Sequence, residues 1–133
     1  MHENEIARIV FESALEVHRT LGGPELLESV YEEALAWELG QQGVLVVRQV
    51  QVPLRYKNHE LAVPLRIDLL IGKKVIVECK AVEIYNPIAA VQVLTYCRLA
   101  GVKLGLVVNF GAPLLKNGFH RVVNGLSDDE CAF

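Results

Sequence analysis

The sequence predicts an α/β domain in which a mixed β-sheet is flanked by helices, two of them at the N-terminus. Residues 3–21 and 25–41 carry apolar side chains at helical spacing. Residues 44–80 alternate or run apolar as strands do, and a further helical pattern precedes an apolar run at 104–109. A strand, a helix and a strand in that order favour a parallel pair joined by a crossover helix.

Length and composition agree with one small domain. The 133 residues suit a single core, and 52% hydrophobic residues are enough to form it without disulfides. We expect residues 1–126 to form this domain and residues 127–133 to be a disordered acidic tail.

Two amphipathic helices are predicted first. The first has His18 at the edge of its apolar stripe, which is formed by Ile6, Val10, Ala14, Val17 and Leu21. Taken alone, His18 reads as a packed or capping histidine. The second places Glu28 on the inward stripe of Tyr31, Leu35 and Leu39, whereas Glu32, Glu33 and Glu38 have easier routes to water. A carboxylate on a packing stripe is a buried hydrogen-bond acceptor or part of a site.

Three strands are predicted next, each ending at a turn. Residues 44–56 alternate, with only Arg48 out of pattern on the inner row, and residues 57–60 make a turn. Residues 61–71 then put Asp68 on the face opposite an apolar row, which consists of Leu61, Val63, Leu65, Ile67 and Leu69. After a turn at Gly72-Lys73, residues 75–80 read as a mostly buried strand.

A helix and one or two strands complete the chain. Asn86 is predicted to cap a helix with Pro87 at its first position, and Gly101 is predicted to end it. The buried strand at 104–109 should then join the sheet in parallel, and Val122-Val123 should add a short edge strand.

Charged residues on the two middle strands are the main indication of function. Glu78 and Lys80 lie two apart, on one face of a Val-Ile-Val-rich strand, and Asp68 lies on the strand before it. The simpler interpretation is an ion pair between Glu78 and Lys80, with Asp68 capping a strand end. Because an ionised carboxylate is costly to bury without a partner or metal, we favour a site for a divalent metal and its water.

The predicted helix adds two polar residues at a matching position. Gln92 and Tyr96 are four apart and project from one face, in line with Ala89 and Leu99. Such a pair alone is usually an ordinary helix flank. The pair indicates a functional site only because its helix follows Asp68, Glu78 and Lys80 along the chain.

Charge and cysteine content limit the functional classes. The net charge of −3 lacks the basic footprint of a stand-alone nucleic-acid binder, so we expect weak intrinsic affinity, aided by a partner or a second subunit. No apolar run approaches membrane-spanning length and no signal peptide is visible, which predicts no membrane association. The odd set Cys79, Cys97 and Cys131 lacks paired spacing, which favours a reducing cytoplasm.

Six segments together resemble the GxxExxY proteins, a branch of the PD-(D/E)XK nuclease superfamily. The order and spacing of the segments carry the resemblance, which covers residues 5–125: Val17–Gly22, Leu26–Glu32, Ile67-Asp68, Val77–Lys80, Gln92–Tyr96 and Gly105–Gly111. Two positions depart from the pattern. Glu25 stands where the naming motif has glycine, and Ile67 replaces the proline of the "PD" pair.

The resemblance implies a restriction-endonuclease-like fold and metal-assisted phosphodiester hydrolysis. Asp68, Glu78 and the backbone carbonyl of Cys79 would hold Mg²⁺ or Mn²⁺, since hard cations take oxygen ligands. Lys80 would act on the attacking water or the phosphate. Glu28 would be an outer or second-ion ligand, and Gln92 and Tyr96 would hold neighbouring groups by hydrogen bonds; His18 is a further candidate. DNA is expected before RNA, in single-stranded or flapped form.

Alternatives to an active nuclease are a non-catalytic accessory or nucleic-acid-binding subunit that keeps the fold, and a plain structural α/β domain with surface ion pairs. The apolar segments 104–110 and 112–115 also suggest an apolar surface that a homodimer or a larger protein partner would cover.

Overall fold

A computed structural model describes residues 1–22 and 26–126 of the chain. The helices are α1 (Glu3–Leu21), α2 (Glu28–Gln41) and α3 (Ile88–Ala100), with a short 3₁₀ helix at Leu115–Gly118. The strands are β1 (Val46–Val52), β2 (Arg55–Tyr56), β3 (His59–Glu60), β4 (Leu65–Ile71), β5 (Val75–Lys80), β6 (Leu104–Asn109) and β7 (Phe119–Val123). The predicted acidic tail lies outside the described residues.

Five strands form one mixed sheet in the order β1-β4-β5-β6-β7. Helix α3 carries the chain from β5 to β6, and these two strands pair in parallel, as predicted. The other neighbours pair antiparallel. The predicted edge strand is β7, which is longer than the two residues expected. A mixed sheet flanked by helices, with two of them N-terminal, is therefore confirmed.

The helices cover both faces of the sheet. On one face, α1 and α2 pack against side chains of β4, β5 and β6, and Tyr31 stacks on Phe110 with ring centroids 4.8 Å apart. On the other face, α3 packs against a second apolar cluster through Ala89, Val93 and Cys97. The central strands are thus buried from both sides, which explains their nearly continuous apolar sequence.

The first predicted strand is shorter than expected. Strand β1 ends at Val52, because Pro53 has no N–H to continue the ladder. Residues 55–60 instead form a separate two-stranded hairpin, β2–β3. Its turn residues Lys57 and Asn58 have φ of 49° and 65°, the combination that closes a tight two-residue hairpin.

Strand β4 does not keep one apolar row from Leu61 to Leu69, so that prediction was wrong. The strand begins at Leu65, after Pro64, and Leu61 is exposed. Ile67 then packs in the α3 cluster, whereas Leu69 packs in the α1/α2 cluster. The alternation of side chains between the two faces of the sheet changes at Asp68. This residue lies opposite Gln49 of β1, and Gln49 has φ of 52°. Gln49 and Asp68 do not pair, although Arg48↔Leu69 and Val50↔Ile67 on either side do.

Two helix starts differ slightly from the prediction. Helix α2 begins at Glu28 and not at residue 25, because Leu27 is extended with ψ of 151°; residue 25 itself is outside the described part. Helix α3 begins at Ile88, one residue later than expected. The Asn86 side chain still caps it by accepting the Ile88 N–H at 3.0 Å, and Gly101 ends it with φ of 71°.

The apolar segment 104–110 does not form a surface. All six residues of β6 are buried in the core, as is Phe110, so the predicted dimer surface has no basis in this segment. For this segment the predicted apolar surface was wrong, because a strand buried on both faces and an exposed apolar strand have the same composition; a homodimer or larger partner stays a prediction. No helix within the described residues is long and apolar enough to span a membrane.

Candidate active site

Asp68 and Glu78 meet where β4 and β5 separate. The last paired residues of the two strands are Leu69 and Val77, and Asp68 and Glu78 are the next residue on each. The Cys79 N–H donates to Asp68 Oδ2 at 3.0 Å, in place of a continued ladder. The Asp68 carboxyl lies close enough to that of Glu78 to raise its pKa. The two carboxyl groups predicted from the sequence therefore lie side by side.

Glu78 is the buried member of this pair. Its residue is only 7% exposed, and its Oε1 has no hydrogen-bond partner among the described residues. Burial, the contact with Asp68 and the charges of Asp68 and Glu28 raise the pKa of Glu78 to about 8, although the Lys80 charge acts the other way. Two adjacent carboxyl groups in a buried position hold a proton unless a cation lies beside them.

Lys80 ends β5 beside this pair. Its carbonyl accepts the Phe110 N–H at 2.8 Å, and the residue pairs with Asn109 of β6, so the backbone is fixed on this side. The described ion pairs do not include one between Glu78 and Lys80, which argues against the first half of the simpler interpretation, whereas the Asp68 bond to the Cys79 N–H agrees with its second half, a capped strand end. Lys80 instead borders a pocket of about 190 Å³, together with Glu28 and Gln92.

Gln92 and Tyr96 face the carboxylates from α3. Desolvation raises the pKa of the half-buried Tyr96, and the negative charges of Glu78 and Asp68 raise it further. Hydrogen bonding with the Gln92 side chain acts in the opposite direction. Tyr96 therefore lies within electrostatic reach of both acidic residues, whereas Gln92 is exposed and borders the Lys80 pocket. Leu99, predicted to lie in line with them, is 51% exposed.

Glu28 borders the site from α2 but is exposed to solvent. The sequence predicted an inward position on the stripe of Tyr31, Leu35 and Leu39, and those three residues are buried. Glu28 is the first residue of the helix, so it lies at the end of the stripe and beyond the core. Its charge still acts on Glu78, and its side chain lines the Lys80 pocket.

Two other predicted residues have structural contacts. His18 Nε2 lies 2.8 Å from the Ala112 carbonyl oxygen and so connects α1 to the loop after β6, which agrees with a packed histidine. The Cys79 side chain is buried in the α1/α2 cluster, and burial raises the pKa of its thiol well above the ordinary value. A neutral buried thiol is a core residue, as predicted. Its backbone carbonyl remains a predicted ligand.

The donor set fits a divalent cation bound largely by solvent and substrate oxygens. Within the described ranges 1–22 and 26–126, no three His, Cys, Asp or Glu side chains converge as a metal cluster. Asp68 and Glu78 offer two carboxylates, and the unpartnered Glu78 Oε1 is available to a ligand. Mg²⁺ is commonly held by one or two carboxylates plus waters and substrate phosphates. The pair therefore suits Mg²⁺ or Mn²⁺.

An ion pair between the buried Glu32 and the partly exposed Arg48 was missed by sequence reasoning. Glu32 is 5% exposed, although the sequence suggested that it reaches water. It accepts hydrogen bonds from Arg48 at 3.0 Å and from Gln49 at 2.8 Å. Adjacent strand residues normally point to opposite faces, and the positive φ of Gln49 allows both side chains to reach one carboxylate. Arg48, out of pattern on its strand, was the available signal.

Asn109 was also missed as a positioning residue. Its buried side chain accepts the N–H of Val82 and of Gly111, each at 3.0 Å, and donates to the Val82 carbonyl at 3.0 Å. It thereby fixes the segment that follows Lys80 to the end of β6. A Cβ at Gly111 would overlap the Val82 carbonyl oxygen, so this close approach needs glycine. A polar residue at the end of the apolar β6 sequence was the only hint.

Comparison with known proteins agrees with this geometry. No curated protein matches the chain. The model of a family described as the PD-(D/E)XK nuclease superfamily matches residues 4–122, which include both carboxylates, Lys80 and all of α3. This match covers most of the chain, and the mixed sheet and the neighbouring Asp68 and Glu78 agree with it. The chain therefore belongs to the PD-(D/E)XK nuclease superfamily.

Proposed function

We propose that this protein is a Mg²⁺- or Mn²⁺-dependent nuclease that hydrolyses phosphodiester bonds of DNA, in single-stranded or flapped form. The observation that carries the proposal is that Asp68 and Glu78 are the next residues after the last paired ones on β4 and β5, with the Cys79 N–H bonded to Asp68 and Lys80 two residues after Glu78. The superfamily match supports the same chemistry.

Asp68 and Glu78 are proposed to hold the cation, with the Cys79 carbonyl as a third donor. Glu78 must lose its proton to do so, and its raised pKa means that this loss accompanies cation binding. When bound, a divalent cation would stabilise the charge that develops on the phosphate and make a neighbouring water a better nucleophile.

The remaining side chains have roles that follow from their positions. The Lys80 amine makes no hydrogen bond or ion pair with the described residues, so it is available to the water or to a phosphate oxygen. Gln92 and Tyr96 offer an amide and a hydroxyl on the α3 side of the same carboxylates. Glu28 lies at the solvent side, where a weak outer ligand would be expected.

A cleavage assay with two lysine variants tests the proposal. Single-stranded and flapped oligodeoxynucleotides should be cut slowly with Mg²⁺ or Mn²⁺ and not with EDTA. Lys80→Ala should abolish cutting and retain cation binding, whereas Asp68→Ala should lose both. Lys103→Ala is the matched control, since this exposed lysine lies at the opposite end of the parallel β5–β6 pair. Cleavage that survives Lys80→Ala would contradict the proposal.

An accessory role is the second candidate, and the net charge of −3 favours it. Such a charge weakens binding to a polyanion, so a larger assembly would have to supply affinity. Cation binding at Asp68 and Glu78 without cleavage of any DNA or RNA would select this candidate.

A further inference from the structure

The pocket beside Lys80 has walls unlike those of a phosphate site. Its apolar residues are Val82, Ile84, Tyr85, Ile88 and Ala89. Lys80 and Glu28 contribute opposite charges, so the pocket has no net positive charge from these two groups. Its volume of about 190 Å³ is several times the 30 Å³ or so that a water molecule occupies in the liquid. An uncharged group of several heavy atoms suits it better than an anion.

Tyr85 is the aromatic residue in this wall, and it is held in a fixed position. Its ring stacks on the His120 imidazole of β7, with centroids 4.0 Å apart and ring planes 11° apart. Burial lowers the pKa of His120, which keeps the stacked ring neutral at pH 7. A ring fixed in this way loses little entropy when a second flat group packs on it.

The apolar surface continues out of the pocket. Ile84 is 88% exposed and Ile88 is 62% exposed, on either side of Tyr85. The loop that carries Ile84 and Tyr85 follows Val82, which Asn109 fixes to β6. Exposed apolar side chains on a fixed loop, next to a candidate catalytic lysine, indicate a binding surface.

We infer that this pocket binds one unpaired nucleobase of the strand whose phosphate lies at Lys80, with Tyr85 as the stacking surface. The inference rests on the proposed function for the position of the phosphate. Every nucleobase has a flat π-face and no net charge, which matches the aromatic wall and the balanced charges. A base in a duplex is paired and stacked and cannot enter, so the pocket selects unpaired strands. The same chemistry applies to DNA and to RNA.

Binding without turnover tests the inference. A fluorescein-labelled oligothymidylate, its oligouridylate equivalent and an abasic oligomer of equal length are titrated with protein at low salt. Ca²⁺ replaces Mg²⁺, and gels check that the oligomers stay intact. The unchanged protein should bind the abasic oligomer at least about fivefold more weakly than oligothymidylate, the loss expected for one base–aromatic contact. This arm needs no mutation. The oligouridylate arm shows whether RNA is accepted as well.

Variants of Tyr85 give the second arm. Tyr85→Ala should weaken oligothymidylate binding by about fivefold or more and abolish the difference from the abasic oligomer, whereas Tyr85→Phe should stay within about twofold. Tyr56→Ala is the matched control, because Tyr56 is an exposed tyrosine on the separate β2–β3 hairpin. It should bind as the unchanged protein does.

Any of three binding results would overturn the inference. They are equal binding of normal and abasic oligomers, no effect of Tyr85→Ala in a folded variant, and no binding of any oligomer. If no oligomer binds and Ile84→Asp abolishes a dimer seen by light scattering, this face is an interface between copies. Cleavage with Mg²⁺ that ignores base removal would keep the proposed function and reject the pocket. Base-dependent binding without cleavage would keep the base-binding pocket and reject the proposed nuclease function.

Discussion

Replacing Glu78 with glutamine should stabilise the cation-free protein above pH 6. Glu78 has its pKa raised to about 8 in the folded state, mainly by burial and then by Asp68, against an ordinary value of 4.5. Between these two pH values the folded protein keeps the proton and the unfolded chain has lost it. The unfolded state therefore binds fewer protons, and the free energy of unfolding falls as pH rises from 4.5 to 8.

The size of the effect follows from the same two values. Each pH unit inside this window is worth about 1 to 1.5 kcal/mol, so the unchanged protein should lose roughly 2 to 3 kcal/mol between pH 5.5 and 7.5 from this group. Glu78→Gln retains the shape and cannot ionise, and that part of the pH dependence should disappear. A variant more stable than the natural chain at pH 7.5 is the expected sign of a carboxylate kept for function.

Urea denaturation in EDTA, followed by circular dichroism at pH 5.5, 6.5 and 7.5, measures this difference. Glu33→Gln is the control, since that side chain is exposed on α2 and should leave the pH profile unchanged. Parallel profiles for Glu78→Gln and the unchanged protein would refute the reasoning, because they would mean that Glu78 titrates as an ordinary surface carboxylate.

Three further predictions concern positions near the site. Arg48→Ala leaves the buried Glu32 without its cation and should lower the free energy of unfolding by about 1 to 2 kcal/mol in urea denaturation, since Arg48 is 40% exposed and Gln49 still donates to Glu32; an unchanged midpoint would contradict a stabilising pair. Asn109→Ala leaves both backbone groups of Val82 unpaired. The variant should lower the free energy of unfolding by about 1 to 3 kcal/mol and lower cleavage more than Lys103→Ala does. Full activity with full stability would show that the loop does not depend on the Asn109 hydrogen bonds. Gly111→Ala should lower the thermal midpoint by forcing a methyl against the Val82 carbonyl, and a rise in the midpoint would show that the loop can move aside.

The fold could be predicted in outline because its signals are local. Apolar spacing gave both N-terminal helices, and the helix before β6 implied the parallel crossover that the sheet contains. The errors lie where the backbone departs from regular geometry. Pro53 and Pro64 divide two predicted strands, and the positive φ of Gln49 interrupts the alternation of β4 at Asp68.

The site could be predicted only where residues lie on neighbouring elements in a simple order. Asp68, Glu78 and Lys80 share one end of a strand pair, and Gln92 with Tyr96 face them from the next helix. Contacts between residues distant in the chain left no periodic signal. Glu32 with Arg48, Asn109 with Val82, and Tyr85 with His120 all depend on tertiary packing, which a single sequence does not specify.

Calorimetric titration of Mn²⁺ at pH 8, with and without a single-stranded oligonucleotide, tests the central claim that Asp68 and Glu78 form a cation site. The account predicts one saturable site that weakens at least about tenfold in Asp68→Asn, a variant that keeps an oxygen for the Cys79 N–H. Affinity should also fall toward pH 6, because the cation must displace the proton held by Glu78. Equal Mn²⁺ binding by Asp68→Asn and the unchanged protein, or no binding even with the oligonucleotide present, would contradict the claim.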